Sequence, residues 1–473
     1  MATPQESKNM NQPSRSQPNV VILIADQLAR RWLGCYGDPD AVTPNIDALA
    51  ADGVRFANSC SSYPVCVPFR FTWMTGETAH SRRVPAIEWA MSEREITLAD
   101  EFNAAGYQTA YVGKWHLDGG HGRLGSARQV NLTPVPRHQQ GRWQKWYGFE
   151  LRNGPHDTWY FEDDDPMPRR VPGYQTDGLY DLGMNWMKNV RNPDRPFCLV
   201  VSTEPPHEPF EPPAELGKLW SEREVALPGS CRPKNDAERA YFTDLRRKYL
   251  AMVQNLDDNV GRMRRFLRDN RLEENTIVVL MSDHGELLGC HNLIYKHHPY
   301  EESVGIPLIV CDPKNPNNGA VLPLPTNTED LFPTLLGLAG IKPRATTLTG
   351  ADLTPNIRGE AGAPEREMTL LEFVAELRPE YDYHDKMWRA VRSKRHKYVV
   401  LGNNRECAPW RFFDLEHDPE EQVNQLDNPD YAEEIKRHHR FMAAEMLRTK
   451  DIFMLPPLFG CDGVNYIDQT ILG

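Results

Sequence analysis

The sequence predicts an α/β fold: a mostly parallel central sheet sandwiched by helices, with a smaller C-terminal α+β subdomain. Three observations predict it. Apolar runs of four to six residues alternate with helical patterns from residue 19 onward. The longest of these runs are continuous rather than alternating, as strands buried on both faces are. After about residue 365 the texture changes to a hairpin pattern followed by one amphipathic helix.

The first strand is Val20-Val21-Ile22-Leu23-Ile24-Ala25, ending at Asp26-Gln27. A helix follows, with Thr43 as N-cap, Pro44 in its first turn, Ile46, Leu49 and Ala50 on its apolar face, and Gly53 as its stop. A second helix is expected over 97–105, stopped by Gly106. The strand Thr109-Ala110-Tyr111-Val112 then leads into Gly113-Lys114-Trp115-His116. Residues 119–180 are rich in Gly, Arg, His, Trp, Tyr and Asp with little periodicity, and read as a long irregular insertion. Phe197-Cys198-Leu199-Val200-Val201 is the next buried-type strand, reaching His207 soon after. A long helix fits within 237–270, with Tyr249, Leu250, Val253, Leu256, Val260, Met263 and Leu267 on one face. Thr276 to Met281 is a strand ending in Ser282-Asp283-His284, and 307–310 is a shorter one. In the C-terminal part, 388–392 and 397–401 read as a hairpin, 412–415 as a third strand and 431–448 as a helix. The domains are therefore a leader over 1–18, an α/β catalytic domain over 19–364 and an α+β subdomain over 365–473. The apolar tail 452–473 must pack on its own body or on a second subunit, which makes it a candidate homo-oligomer contact.

Four of these strands end in ionisable or amide groups: Asp26/Gln27, Lys114/His116, His207 and Asp283/His284. Ligands of open α/β sheets bind outside the carboxyl ends of the strands, so all four clusters can meet at one edge. The plainer alternative, that polar residues only mark where loops begin, weakens as the clusters accumulate.

Composition narrows the function. The chain has 473 residues, 54 Lys+Arg against 66 Asp+Glu, and a formal charge of −12. That balance argues against non-specific nucleic-acid binding, and an anionic substrate would need a locally basic site. Apolar residues at 40% and charged residues at 25% exclude collagen-like, disordered and coiled-coil classes. No run approaches the ~20 apolar residues of a membrane helix. The nine Cys, with no CxxC pair, fit a reducing compartment. With no apolar signal core in the leader, a cytoplasmic location is the expectation, or a periplasmic one if a signal was removed.

The sharpest local feature is Cys66-Val67-Pro68-Phe69-Arg70. It accompanies Asp26, Lys114-Trp115-His116, Pro205-Pro206-His207, Ser282-Asp283-His284-Gly285, and Lys296 ahead of Tyr300-Glu301-Glu302. In order and spacing the set resembles the type I, formylglycine-dependent sulfatases of the alkaline-phosphatase-like superfamily. The resemblance implies hydrolysis of a sulfate monoester and oxidation of Cys66 to formylglycine by a sulfatase-maturing enzyme. It implies an in-line attack on sulfur by the hydrated aldehyde. The alcohol leaves with a proton from His207 or Lys296, and His116 removes a proton from the second hydroxyl so that sulfate departs.

The residues themselves suit that chemistry. Asp26, Gln27, Asp283 and His284, with Cys66, offer a cage for one divalent cation. Arg70, Lys114 and Lys296 are fixed positive charges for a sulfate. Gln27 and His284 stand where the family often has Asp and Asn, and Phe69 where it has a small residue. The resemblance favours Ca²⁺, while the imidazole would also suit Mn²⁺ or Zn²⁺. A phosphonate monoester or phosphodiester hydrolase on the same scaffold is the alternative, and a non-catalytic anion-binding protein a more distant one. The sequence leaves the alcohol open among aryl, sugar and choline. Arg70→Ala is expected to abolish turnover without unfolding the chain.

Overall fold

A computed structural model describes residues 17–87, 89–120, 130, 132–151, 154–376, 386–403 and 406–455. Most of the leader, and the tail beyond residue 455, lie outside the described residues. Fourteen strands are present among them: β1 (Asn19–Ala25), β2 (Val54–Ser59), β3 (Gln108–Lys114), β4 (Lys145–Phe149), β5 (Trp159–Glu162), β6 (Arg169–Arg170), β7 (Phe197–Thr203), β8 (Thr276–Ser282), β9 (Leu308–Cys311), β10 (Val321–Thr326), β11 (Met368–Phe373), β12 (Met387–Ser393), β13 (His396–Gly402) and β14 (Cys407–Asp414).

Ten of them form one sheet in the order β10-β2-β9-β8-β1-β7-β3-β4-β5-β6. The central strands β8, β1, β7, β3 and β4 run parallel. Strand β9 is antiparallel to both of its neighbours. Strand β1 shows why its run is continuous. Val20, Ile22 and Ile24 enter the core on one face, and Val21, Leu23 and Ala25 enter the core on the other. The helix Asp236–Asp269 covers the second face with the seven apolar residues its period picks out. Asn235 caps it, its side chain accepting from Glu238 N at 2.9 Å.

The four polar strand ends fall together because β8, β1, β7 and β3 are sheet neighbours in register. Ala25 is level with Thr203 and Ser282, and Gly113 with Ser202.

The insertion corrects an expectation. Residues 119–180 are not irregular throughout, because β4, β5 and β6 extend the sheet beyond β3. Their core is aromatic: Trp146 stacks on Tyr111 at 5.2 Å between ring centroids, and Trp115 and Trp143 close round it. Strands of two to five residues are too short for a period to declare itself. Thr43 holds the N-cap position, its carbonyl accepting from Asp47 N at 2.8 Å, but its side chain does other work. Its hydroxyl donates to Asp47 at 3.0 Å and accepts from Gly34 N at 2.9 Å, with no side-chain capping bond to the helix Pro44–Ala51.

The small subdomain is an antiparallel sheet, β11-β12-β13-β14, backed by the helix Ala432–Thr449. The hairpin pairs Arg392 with Lys397, as its sequence pattern requires. From the tail, Phe453 packs into this subdomain's own core, with Arg389 4.7 Å above its ring. No described helix is long and apolar enough to cross a membrane.

Candidate active site

The site lies where β1, β3, β7 and β8 end, under the helix Cys66–Thr75. Cys66 is the first residue of that helix and is buried. A helix start directs unpaired N–H groups and the positive end of the peptide dipoles at whatever occupies position 66. Its Sγ lies 3.1 Å from His284 Nε2, 3.8 Å from Asp26 Oδ1 and 3.8 Å from Lys296 Nζ. Asp26, Cys66, Asp283 and His284 each bring one potential ligand atom, and these four atoms lie within 4.8 Å of one another, all buried. The donor set, two carboxylates and an imidazole converging on residue 66, fits a divalent cation.

The basic residues come from that helix and from the end of β3. Arg70, one helical turn after Cys66, forks between the carboxylates: Nη2 is 3.1 Å from Asp283 Oδ2 and 3.4 Å from Asp26 Oδ2. Its Nη1 donates to Lys114 O and Ser202 Oγ, both at 2.9 Å. Lys114 Nζ meets Asp26 Oδ2 at 2.5 Å and lies 3.7 Å from Glu204 Oε1. Burial alone would raise the Asp26 carboxyl, but Lys114, then His207, Arg70 and His284, hold it well below the usual carboxylate range. Burial likewise opposes the charge on Lys114, and Asp26 overrules it and raises its pKa. These cations therefore do not form an unopposed basic patch. Each faces a carboxylate, because a charge this deeply buried persists only when paired.

Gln27 sits in the left-handed region, at φ 63°. Its amide is held on both sides: Nε2 donates to Glu286 Oε2 at 2.6 Å and Glu208 Oε2 at 2.9 Å, while Oε1 accepts from Lys296 Nζ at 2.6 Å. Those partners explain the departure from Asp, since a carboxylate here would face two others. Oε1 keeps a second lone pair for a cation. Glu286 is pushed up to about 7 by burial. Burial also acts on Glu208, but His207, Lys296 and the Gln27 amide overcome it and bring it to about 2.

His284 has its pKa lowered by burial, which favours the neutral ring a metal ligand must be. His207 Nε2 is 2.8 Å from Lys296 Nζ. His116 is buried two residues past Lys114, at φ 58°, with its backbone N–H on Glu150 O at 2.6 Å. Gly285 is required by close approach: a Cβ there would stand 1.9 Å from Glu302 O.

The structure thus gathers Asp26, Gln27, Cys66, Arg70, Lys114, His207, Asp283, His284 and Lys296 from six separate stretches of sequence, while His116 is buried just past the end of β3. Glu204, Glu208, Glu286 and Ser202 were not singled out from sequence. Glu208 and Glu286 each adjoin a motif, but carboxylates beside motifs are too common to signal a role. Tyr249, whose hydroxyl donates to Gln27 O at 2.7 Å from the long helix, carries no local signal at all.

Comparison with known proteins adds independent findings. Residues 18–341 match the family model described as Sulfatase, and residues 289–448 match N-sulphoglucosamine sulphohydrolase, C-terminal. The chain is 30% identical over 424 residues to the ulvan-active sulfatase of Formosa agariphila, covering 89% of this chain and 79% of that protein. It superposes on the solved structure of the sulfatase-family protein yidJ from Bacteroides fragilis with TM-score 0.82 and 26% identity, covering 94% and 98% of the two chains. The phosphonate monoester hydrolase of Agrobacterium radiobacter shares the fold, with TM-score 0.72 and 21% identity over 95% and 99% of the two chains.

Proposed function

The chain belongs to the sulfatase family and is a sulfatase, and from that premise we propose that it hydrolyses an aryl or carbohydrate sulfate monoester at residue 66, with Cys66 converted to formylglycine. The observation that carries this reading is the placement of Cys66 at a helix start, 3.1 Å from His284 and within the buried cluster that includes Asp26 and Asp283. A thiol meant only to fill space would not be set among two carboxylates and three cations.

Asp26, Gln27, Asp283 and His284 would hold one divalent cation, with Ca²⁺ favoured by the family resemblance. When bound, that ion supplies Lewis-acid polarisation of a sulfate oxygen. Arg70 and Lys114 are fixed before substrate arrives, so their stabilisation of non-bridging oxygens costs little reorganisation. Lys296 and His207 hold a proton beside residue 66 for the departing alcohol, and His116 is assigned to take one from residue 66. Partners on this reading are a small anionic sulfate ester and the enzyme that oxidises Cys66.

The Gln27 and His284 pair favours a second reading, a phosphonate monoester or phosphodiester hydrolase, against which the Lys114-x-His116 pair stands. Turnover of a nitrophenyl sulfate beside a phenyl phosphonate monoester separates them. The test uses protein whose residue 66 has been read by peptide mass spectrometry. The expected result is aldehyde at position 66 and faster sulfate turnover. A large preference for the phosphonate would reverse the assignment.

A further inference from the structure

Glu150 has no part in the machinery above, yet the turn that follows His116 is wound round its side chain. It comes directly after β4, which pairs with β3 so that Phe149 is level with Lys114. Its backbone oxygen accepts from His116 N at 2.6 Å, and Phe149 O accepts from Trp115 N at 2.8 Å. Those two bonds extend the strand ladder and belong to the main chain alone. The carboxylate reaches further, to the residues beyond His116. Asp118 N is 3.0 Å from Oε1 and 3.1 Å from Oε2, and Gly120 N donates to Oε1 at 3.3 Å. Glu150 is buried, and among the described residues no cation pairs with it. A buried carboxylate without a cation is costly, and here peptide N–H groups of one turn offset the cost. A Cβ at Gly120 would stand 3.0 Å from Glu150 Cγ, so the turn closes directly onto this side chain. The turn is also strained: His116 has φ 58° and Gly119 φ 63°. A non-glycine residue in that region persists only where its surroundings fix it. The strand ladder fixes His116 from before. From after, Leu117 O accepts from Met91 N at 2.8 Å, and the Glu150 carboxylate holds Asp118 and Gly120.

We propose that Glu150 is a positioning residue for His116: its carboxylate closes the turn over 117–120 and thereby sets the direction of the imidazole for the release of sulfate. The proposal rests on the sulfatase reading above, in which His116 takes a proton from residue 66. In that step the second hydroxyl of residue 66 gives its proton to His116, and its oxygen forms the C=O bond of the aldehyde. The C–O bond to sulfate breaks, and its electron pair leaves on the sulfate oxygen. Cleavage of the aryl ester comes earlier and does not use His116.

Rapid mixing with nitrophenyl sulfate tests this, with residue 66 occupancy by aldehyde measured for every variant. Glu150→Gln has the same size but sets an amide N–H₂ against the N–H groups of the turn. It is expected to lower kcat about tenfold while kcat/KM, fixed by the earlier ester cleavage, changes less than about threefold. About one equivalent of nitrophenol per aldehyde is expected to appear in a burst before the slowed steady rate. Glu150→Ala is expected to lose more, and Glu150→Asp, which keeps the charge, to lose less than Glu150→Ala. The His116→Ala/Glu150→Gln double variant is expected to fall no further than His116→Ala alone. Equal losses in kcat and kcat/KM with no burst would overturn the proposal, since Glu150 would then serve only the fold. Additive losses in the double variant would overturn it too. Wild-type protein bearing the aldehyde but inert to every sulfate would overturn the sulfatase reading itself, whereas active wild type with an unchanged Glu150→Gln overturns only the role of Glu150. If Glu150→Gln does not fold, Glu150→Asp carries the same split between kcat and kcat/KM.

Discussion

Arg70 shows how burial changes what a single substitution means. The sequence marks it as a sulfate-binding charge that could be removed without structural cost. The structure has it 1% exposed, spanning Asp26 and Asp283. Arg70→Ala would strand two buried carboxylates, so it is expected to destabilise the fold by about 3 kcal/mol as well as abolish turnover. Arg70→Lys keeps the charge but loses the fork, and a kcat loss of about a hundredfold is expected with a smaller drop in melting temperature. Equal melting temperatures for wild type and Arg70→Ala would contradict this account. Gln27 makes the complementary point. Gln27→Asp restores the commoner family residue but removes the donor shared by Glu208 and Glu286. In the presence of a chelator it is expected to lower stability by about 2 kcal/mol, read by thermal unfolding. The residue types were legible because strand ends and short motifs display them. Their partners were not, because Glu208 and Gln27 are 181 positions apart.

Elements explain why the motif residues converge. Continuous apolar runs identify β1, β7 and β8, and their parallel alignment puts every C-terminal end on one edge. The Ser282-Asp283-His284-Gly285 turn is held by contact with the helix Glu301–Val304: Gly285 N donates to Ser303 O at 2.8 Å. Gly285→Ala must push Glu302 O away from a contact that would be 1.9 Å. The expected outcome is a stability loss of about 2 kcal/mol or more with activity reduced, because Asp283 and His284 move with the turn. Unchanged unfolding and kinetics would show the turn to be slack. Strands β2, β10 and β11 and the short strands of the insertion escaped the pattern reading. β2 and β11 mix polar and apolar side chains, prolines interrupt β10, and the insertion strands are too short for a period.

At the scale of the whole molecule, the small subdomain braces the loop that carries Lys296. Trp388 Nε1 donates to His297 O at 2.8 Å. Glu301 pairs with Arg30 on one side and with Arg392 and Lys397 on the other, and Lys397 also pairs with Glu421 at 2.8 Å. His80 is a further tie across this boundary. Its Nδ1 is 2.5 Å from Glu372 Oε2 in β11, and its Nε2 is 3.2 Å from Thr449 O. Burial would lower its pKa, but Glu372, then Asp451, push it up to about 9. A raised folded-state pKa stabilises fully below the unfolded value of ~6.5 and is lost as pH climbs through about 9. The chain is therefore expected to lose about 2 kcal/mol between pH 6 and pH 10 through this group. His80→Gln should flatten that part of the pH–stability curve, followed by urea unfolding at each pH. An identical slope in the variant would remove His80 from the account.

By itself the sequence determined the fold class and displayed the nine polar residues, with His116, to which the proposed chemistry is assigned. Those features are local: a run of apolar side chains, a helix start, a motif of three to five residues. Only the tertiary structure decided that Arg70 and Lys114 would be matched by carboxylates and that Gln27 would be clamped between Glu208, Glu286 and Lys296. It also decided that the small subdomain would hold the Lys296 loop. Each of these depends on which charges become neighbours once water is excluded, and that follows from strand order and register rather than from spacing along the chain.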